Sequence, residues 1–495
     1  MVEAELTVLP DTKHLENEQE KGLCSTPGDS TVITDESRVS DLGETESSSQ
    51  SKSLAVLIEK ECESEGKRRI HGAADGEGVK ELNHEKKEES LIVHEESKQS
   101  PILNLGSFKE ESNKIGDLTE FQRQALYELK HLVQKAINAN EFALVNDPEY
   151  NRPSIWGIPL LADDRSDVLL LKFLRARDFK ISEALAMIKN TVQWRFQEGI
   201  DKIASEELSD DWGQVVFMRG VDRNNHPVCY NVYGEFQNQE LYRKAFASEE
   251  KRVNFLKWRV QSLEKTIRNL DFNPGGISTI FQINDLKNSP RLGKRELHLV
   301  SRRALLILQD NYPEFVCKQV FINVPWWQFA FYAMLSPFIS QRTKSKFVFA
   351  NPAKTPDTLF KYIAPENVPV QYGGLSVDSC DCNAEFSSND EATEITLKPG
   401  TKQTVEIIIY EKCEIVWELR IVGWDVTYSA EFVPENKEGY PVILQRPTKK
   451  VPSDGPIEGS SFRVSELGKI WLIVDNPTSK KKKLIYRFKV KPFHH

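Results

Sequence analysis

Thr343 and Lys346 stand immediately after an unusually apolar stretch, and that juxtaposition is the first hint of chemistry in this 495-residue chain. A hydroxyl and a compact positive charge at the rim of a hydrophobic wall suit a two-tailed lipid with a charged head. Bond-breaking machinery is not legible. The chain has no Gly-x-Ser-x-Gly elbow, no His-Glu-x-x-His pair and no phosphate loop, since Asn273-Pro274-Gly275-Gly276 lacks the Gly-Lys-Ser/Thr ending. The nine histidines show no ligand spacing. Cys380-x-Cys382 has no second pair to complete a finger, so both read as loop thiols. The expectation is no catalytic residue, no metal and no cofactor. The run Lys480, Lys481, Lys482, Lys483 reads as a solubilising loop or as a membrane-docking loop, each lysine then adding about 1 kcal/mol of attraction to an acidic surface.

Two elements must position the polar pair. Val320 to Val324 is a short apolar run before Pro325, as in a buried strand. From Pro325 the period changes, and Trp326 follows. Trp327, Ala330, Phe331, Met334, Leu335 and Phe338 recur on one helical face, while Phe329, Tyr332 and Ala333 make the other face apolar too. Such a helix is buried in a core or faces lipid. It is too short to cross a bilayer, which takes about 18 or more apolar residues.

Charge divides the chain. Residues 1–115 carry 26 acids and 14 bases, so −12 of the net −9 lies there and the remainder is +3. A nearly neutral body does not suit a dedicated nucleic-acid binder. In residues 1–115 Phe108 is the single aromatic residue, and a disordered acidic tail is expected. An Asp117-x-x-Glu120 capping box then opens a helix with Leu118, Phe121, Ala125, Leu129, Leu132 and Ala136 on one stripe. Further helices are expected from Asp164, ending near Arg175 and Arg177, and over Ser182–Phe196. Residues 215–350 alternate strand and helix patterns, which predicts an α/β layer. After about residue 390 the period becomes two. Ile415, Trp417, Leu419 and Ile421 alternate with Val416, Glu418 and Arg420; Val426, Tyr428, Ala430 and Phe432 alternate with Thr427, Ser429 and Glu431; and Leu484, Tyr486, Phe488 and Val490 alternate with Ile485, Arg487 and Lys489. Seven or so such strands predict a β-sandwich. Seven scattered cysteines and an acidic N-terminus without an apolar core predict a cytosolic protein.

Six ordered motifs carry a resemblance: Leu169 through Arg177, Asp285-Leu286-Lys287, Tyr312-Pro313-Glu314, Ile322-Asn323-Val324-Pro325, Thr343-Lys344-Ser345-Lys346 and Pro369 through Gly374. Residues 165–374 resemble the CRAL-TRIO domain of phosphatidylinositol/phosphatidylcholine transfer proteins. Gly468-Lys469-Ile470-Trp471 through Asn476, with Tyr486-Arg487, resembles a GOLD domain. The layout is similar to the plant patellins. The resemblance implies an acidic tail over 1–115, helices over 116–200, an α/β CRAL-TRIO lipid-binding domain over 201–376 and an all-β GOLD sandwich over 377–495. It implies a lipid-headgroup site of Arg177, Glu314, Thr343 and Lys346. It also implies a gate helix and acyl pocket of Trp326, Trp327, Phe329, Phe331, Met334, Leu335 and Phe338. Asp178 and Phe315 replace bases of the pattern, so less positive charge is expected there. The function implied is non-enzymatic binding and transfer of phosphatidylinositol and its phosphates at acidic membranes. Its expected setting is trafficking and cell-plate formation, in the cytoplasm and peripherally at the cell plate and plasma membrane. The alternative is an adaptor whose GOLD domain and tail bind proteins while the pocket senses lipid.

Overall fold

The computed structural model describes residues 106–142, 153–207, 212–290, 295–325, 341–377, 385–423, 425–436, 438–450 and 457–493. Three helices come first: α1 (Glu120–Asn138), α2 (Asp164–Ala176) and α3 (Ile181–Gln197). The capping box of α1 is Thr119 with Gln122, two residues beyond the expected pair, because the Thr119 hydroxyl accepts from the Gln122 amide and the Gln122 side chain accepts from the Thr119 amide. α2 is buried from Ser166 to Arg175. It packs against both α1 and α3, which explains why its apolar run has no solvent stripe.

The second layer is a five-stranded sheet, β1 (Val216–Val221), β2 (Pro227–Val232), β3 (Ile280–Asp285), β4 (Val316–Ile322) and β5 (Phe347–Phe349), in that spatial order. β1 is antiparallel to β2, and every later pair is parallel. Parallel neighbours need crossovers. Helices α4 (Gln239–Phe246) and α5 (Glu249–Arg268) connect β2 to β3, and α6 (Arg295–Asn311) connects β3 to β4. The short α7 (Gln341–Lys346) precedes β5, and α8 (Thr355–Tyr362) follows it. Central β3 is buried at all six positions, as a strand covered on both faces should be.

One buried polar node joins the helices to this layer. Glu264 of α5 is fully buried and accepts from Arg195 Nη1 at 2.7 Å, Arg195 Nη2 at 3.0 Å, the Tyr312 hydroxyl at 2.7 Å and Trp156 Nε1 at 3.2 Å. Trp156 is itself enclosed by Phe173, Phe272, Tyr312 and Phe315.

Residues 393–492 form a sandwich of eight strands: β6 (Thr393–Leu397), β7 (Thr401–Ile409), β8 (Cys413–Val422), β9 (Val426–Pro434), β10 (Val442–Lys450), β11 (Glu458–Val464), β12 (Gly468–Asn476) and β13 (Lys482–Pro492). The sheets run β11-β8-β13-β6 and β10-β9-β12-β7. Ile415, Trp417 and Leu419 face Tyr428, Ala430 and Phe432 across one core, as the two-residue period requires. On β13 the expected face divides. Leu484 is buried, whereas Phe488 and Val490 are exposed. The opposite side of β13 has its own role: Ile485 is buried in the cluster of Leu359, Phe360 and Ile363 from the α/β layer. Arg420 donates to the Gly374 carbonyl oxygen at 2.7 Å across the same seam. Gly374 must be glycine, since an added Cβ would collide with the Val368 carbonyl oxygen.

The expected tail boundary at residue 115 needs correction. Residues 106–117 lie against the α/β layer. Phe108 N donates to the Ser345 carbonyl oxygen at 3.0 Å, Lys318 Nζ donates to the Gly106 carbonyl oxygen at 2.9 Å, and Asn113 is buried. Ile115–Asp117 forms a single 3-10 turn.

Candidate functional site

A cleft opens where segment 106–113, α2, the start of β4 and α7 meet. On α2, Lys172 and Arg175 are three residues apart and therefore share a face. Lys172 Nζ donates to the carbonyl oxygens of Ser278 at 2.8 Å and Glu314 at 3.0 Å, and lies 4.4 Å from the centre of the Phe315 ring. Burial pulls its ammonium down to about 7, against the opposing pull of Glu110 and Glu314.

Glu314 sits in the left-handed region at φ +55°. A non-glycine residue held there costs about 1 kcal/mol or more, and such strain concentrates at functional sites. Its carboxylate accepts from Arg342 Nε at 2.9 Å, Arg342 Nη2 at 3.1 Å and Lys346 Nζ at 2.7 Å. Burial alone would raise its pKa, but Lys346 and Arg342 hold it down to about 2. α7 is a helical turn that presents Arg342 and Lys346 together, four residues apart.

The segment before α1 supplies the remaining groups. Glu111 takes Arg342 in a fork, at 3.2 Å and 2.8 Å, and forms an ion pair with Arg175, whose Nε lies 3.0 Å from its carboxylate. Arg175 also donates to Asn113 Oδ1 at 2.6 Å and the Ser112 carbonyl oxygen at 2.7 Å. Glu110 accepts from Thr279 Oγ1 at 2.7 Å and contacts His226 Nε2 at 2.7 Å. His226 Nδ1 lies 3.0 Å from both oxygens of Asp222. Burial would lower the imidazole pKa, but contacts with Asp222, Cys317 and Glu110 carry it up to about 12. Asp222, His226 and Cys317 offer donor atoms within 4.8 Å of one another. Both His226 nitrogens are engaged by carboxylates, Nδ1 by Asp222 and Nε2 by Glu110. Phe108 completes the rim, its ring centre 4.7 Å from Lys346 Nζ and 5.3 Å from the Arg342 guanidinium carbon.

Of the four headgroup residues expected, Glu314 and Lys346 are brought into contact. Thr343 lies on the exposed side of α7. Arg177 is the C-cap of α2, its Nη1 donating to the Ala176 carbonyl oxygen at 3.1 Å, and it does not line the cleft. Its place is taken by Lys172, Arg175 and Arg342, which the sequence reading did not single out. A lysine inside the apolar run Val168–Leu174 was the available signal for Lys172. The expected gate residues Trp326, Trp327, Phe329, Phe331, Met334, Leu335 and Phe338 lie outside the described residues, as do Cys380 and Cys382. In the lysine run, Lys480 and Lys481 are exposed, whereas Lys483 pairs with Asp357 at 3.0 Å and with Glu394. Among the described residues no helix is long and apolar enough to cross a membrane.

Three family models match the chain: a CRAL/TRIO N-terminal domain over residues 125–190, a CRAL/TRIO domain over 211–374 and a Patellin-1-like C-terminal GOLD domain over 398–482. Patellin-3 of Arabidopsis thaliana is 62% identical over 400 residues, spanning 81% of this chain and 81% of that protein. Patellin-5 of the same plant is 61% identical over 404 residues, spanning 82% of this chain and 59% of that protein. The phosphatidylinositol transfer protein SFH5 of Meyerozyma guilliermondii is 28% identical over 255 residues, spanning 48% of this chain and 73% of that protein. The crystal structure of Sfh5 aligns with a TM-score of 0.40 at 22% identity, covering 49% of this chain and 84% of that one.

Proposed function

Since the chain belongs to the patellin family, we propose that it is a non-enzymatic carrier that binds phosphatidylinositol or its phosphates and moves or presents them between membranes. The observation that carries this reading is the cleft in which Lys172, Arg175, Arg342 and Lys346 surround Glu314. Guanidinium forks and an ammonium suit phosphate oxygens, and a carboxylate can accept from inositol hydroxyls. The deciding measurement is native mass spectrometry of the full chain, followed by transfer of labelled phosphatidylinositol between vesicles. A chain that copurifies without a phospholipid and transfers none overturns the reading.

The gate has its own test. Uncovering three or four large apolar side chains in water costs roughly 5–10 kcal/mol, a cost that largely disappears against a bilayer. Trp327→Asp is expected to leave the circular dichroism spectrum unchanged and to lower vesicle-to-vesicle transfer severalfold. Unchanged transfer by the folded variant rules the gate out.

Membrane docking is assigned to the exposed part of the lysine run. At about 1 kcal/mol per lysine, replacing Lys480 and Lys481 with serine weakens binding to acidic vesicles by roughly tenfold or more. Lys483 pairs with Asp357 and Glu394 and is left unchanged in this variant. Vesicle flotation at low salt reads the effect, and unaltered flotation returns the run to solubility alone.

The cellular setting we propose is membrane trafficking, including cell-plate formation in dividing cells. A second reading, a lipid-sensing adaptor, draws on the bare side chains of the sandwich: Tyr410 is 81% exposed and Tyr440 88%. An adaptor binds vesicles without catalytic exchange of lipid, whereas a carrier exchanges it repeatedly.

A further inference from the structure

Four basic side chains of the cleft, Lys172, Arg175, Arg342 and Lys346, face a single carboxylate of the body, Glu314, so the body supplies more basic than acidic groups there. The segment before α1 brings two more carboxylates to the same place. Glu111 bridges Arg342 and Arg175, forking one guanidinium and touching the other. An anion shared between two guanidinium groups is the arrangement that a phosphate would adopt there. We propose that residues 106–112 are an internal pseudo-ligand, in which the Glu111 carboxylate occupies the phosphate position of the cleft and must leave before a phosphorylated headgroup can enter. This rests on the lipid-binding reading above and adds a competitor to it.

The way the segment is held fits a displaceable strap. Its side chains stay partly in water: Glu110 and Glu111 are each 35% exposed. Phe108 is its one aromatic anchor, and it lies on Arg342 and Lys346, two of the cations a headgroup would take. Beyond residue 112 the character changes. Asn113 is buried and Leu118 enters the helical core, so the strap is rooted at that end, while its other end is held by two polar contacts, Phe108 N to the Ser345 carbonyl oxygen and Lys318 Nζ to the Gly106 carbonyl oxygen. Because it is tethered, the competing carboxylate is present at an effective concentration of about millimolar, whatever the protein concentration. A headgroup with several phosphate charges can outcompete it, since it offers more than one anionic contact to the four cations. A singly charged headgroup gains less from the exchange, so the strap makes the cleft discriminate by headgroup charge.

The test compares the full chain with the double variant Glu110→Gln, Glu111→Gln. The probes are phosphatidylcholine vesicles containing a phosphatidylinositol bisphosphate, and free inositol trisphosphate. Loss of the internal competitor is expected to tighten binding to the vesicles by roughly tenfold, the worth of one charge-assisted contact. In the unmodified chain, vesicle binding is expected to raise hydrogen exchange at the amides of residues 107–111. Tightening toward both probes identifies the phosphate group as the displacing species. Tightening toward vesicles alone identifies the membrane-embedded headgroup, and both results support the strap. If the unmodified chain binds the vesicles and the variant binds no better, or exchange at 107–111 stays flat on binding, the strap proposal is overturned while the lipid reading stands. If neither protein binds either probe, the lipid reading falls and the strap falls with it.

Discussion

Replacing Glu264 with leucine is expected to lower the unfolding free energy of the chain by about 3–5 kcal/mol. The carboxylate is fully buried, and Arg195 beside it is 2% exposed. Removing the acid leaves a guanidinium inside the helical core with one remaining carboxylate, Asp201 at 2.6 Å. The Tyr312 hydroxyl and the Trp156 indole lose their acceptor at the same time. Each orphaned buried donor costs about 1–3 kcal/mol, so the loss is larger than that of a simple surface pair. Tyr312 lies two residues before Glu314, whose backbone is left-handed, so the loss occurs next to the site. Chemical denaturation of the full chain measures the change, and a companion variant, Arg195→Leu with Glu264→Leu, should recover part of it. A single-variant loss below about 1 kcal/mol would mean that the node is not a buried ion pair in solution.

The cation pair on α7 gives the second large effect. Arg342→Gln with Lys346→Gln is expected to abolish measurable binding to phosphoinositide vesicles. Two charge-assisted contacts are worth about 3–6 kcal/mol together, or roughly a hundredfold and more in affinity. The double variant also strips Glu314 of both partners. Its pKa, held at about 2 by those partners, must then rise under the burial that they now offset. A variant that adds Glu314→Gln removes this buried charge and separates the two effects: stability returns, while vesicle binding stays lost. Flotation and thermal melting report them independently. Retained affinity in the stable triple variant would place the headgroup elsewhere.

Legibility of the fold followed burial. The sandwich strands whose apolar residues alternate, such as Val426, Tyr428, Ala430 and Phe432, were readable because that alternation is the physical cause of their pairing. Val442–Lys450 escaped because it is an edge strand, exposed along most of its length and without an inward face. Thr393–Leu397 escaped for a similar reason, being a short edge with one buried residue. Residues 106–117 were lost to composition. A segment held by carboxylates on guanidinium groups has no apolar period, and average polarity cannot distinguish it from solvated chain. At the cleft, Glu314 and Lys346 were carried by motif, whereas Arg175 and Arg177 could be told apart only by where α2 stops. The helix ends at Ala176, which leaves Arg177 as its cap and turns Arg175 inward.

The seam between the layers has a practical consequence. Ile485 belongs to the sandwich by sequence and to the α/β core by burial, with Lys483 and Arg420 pinned across the join. Cutting the lipid-binding half free at its apparent boundary would strip Leu359, Phe360 and Ile363 of their cover and leave a greasy scar. A fragment of that kind that clumps, or clings to any liposome offered, is advertising its wound rather than its taste in lipids.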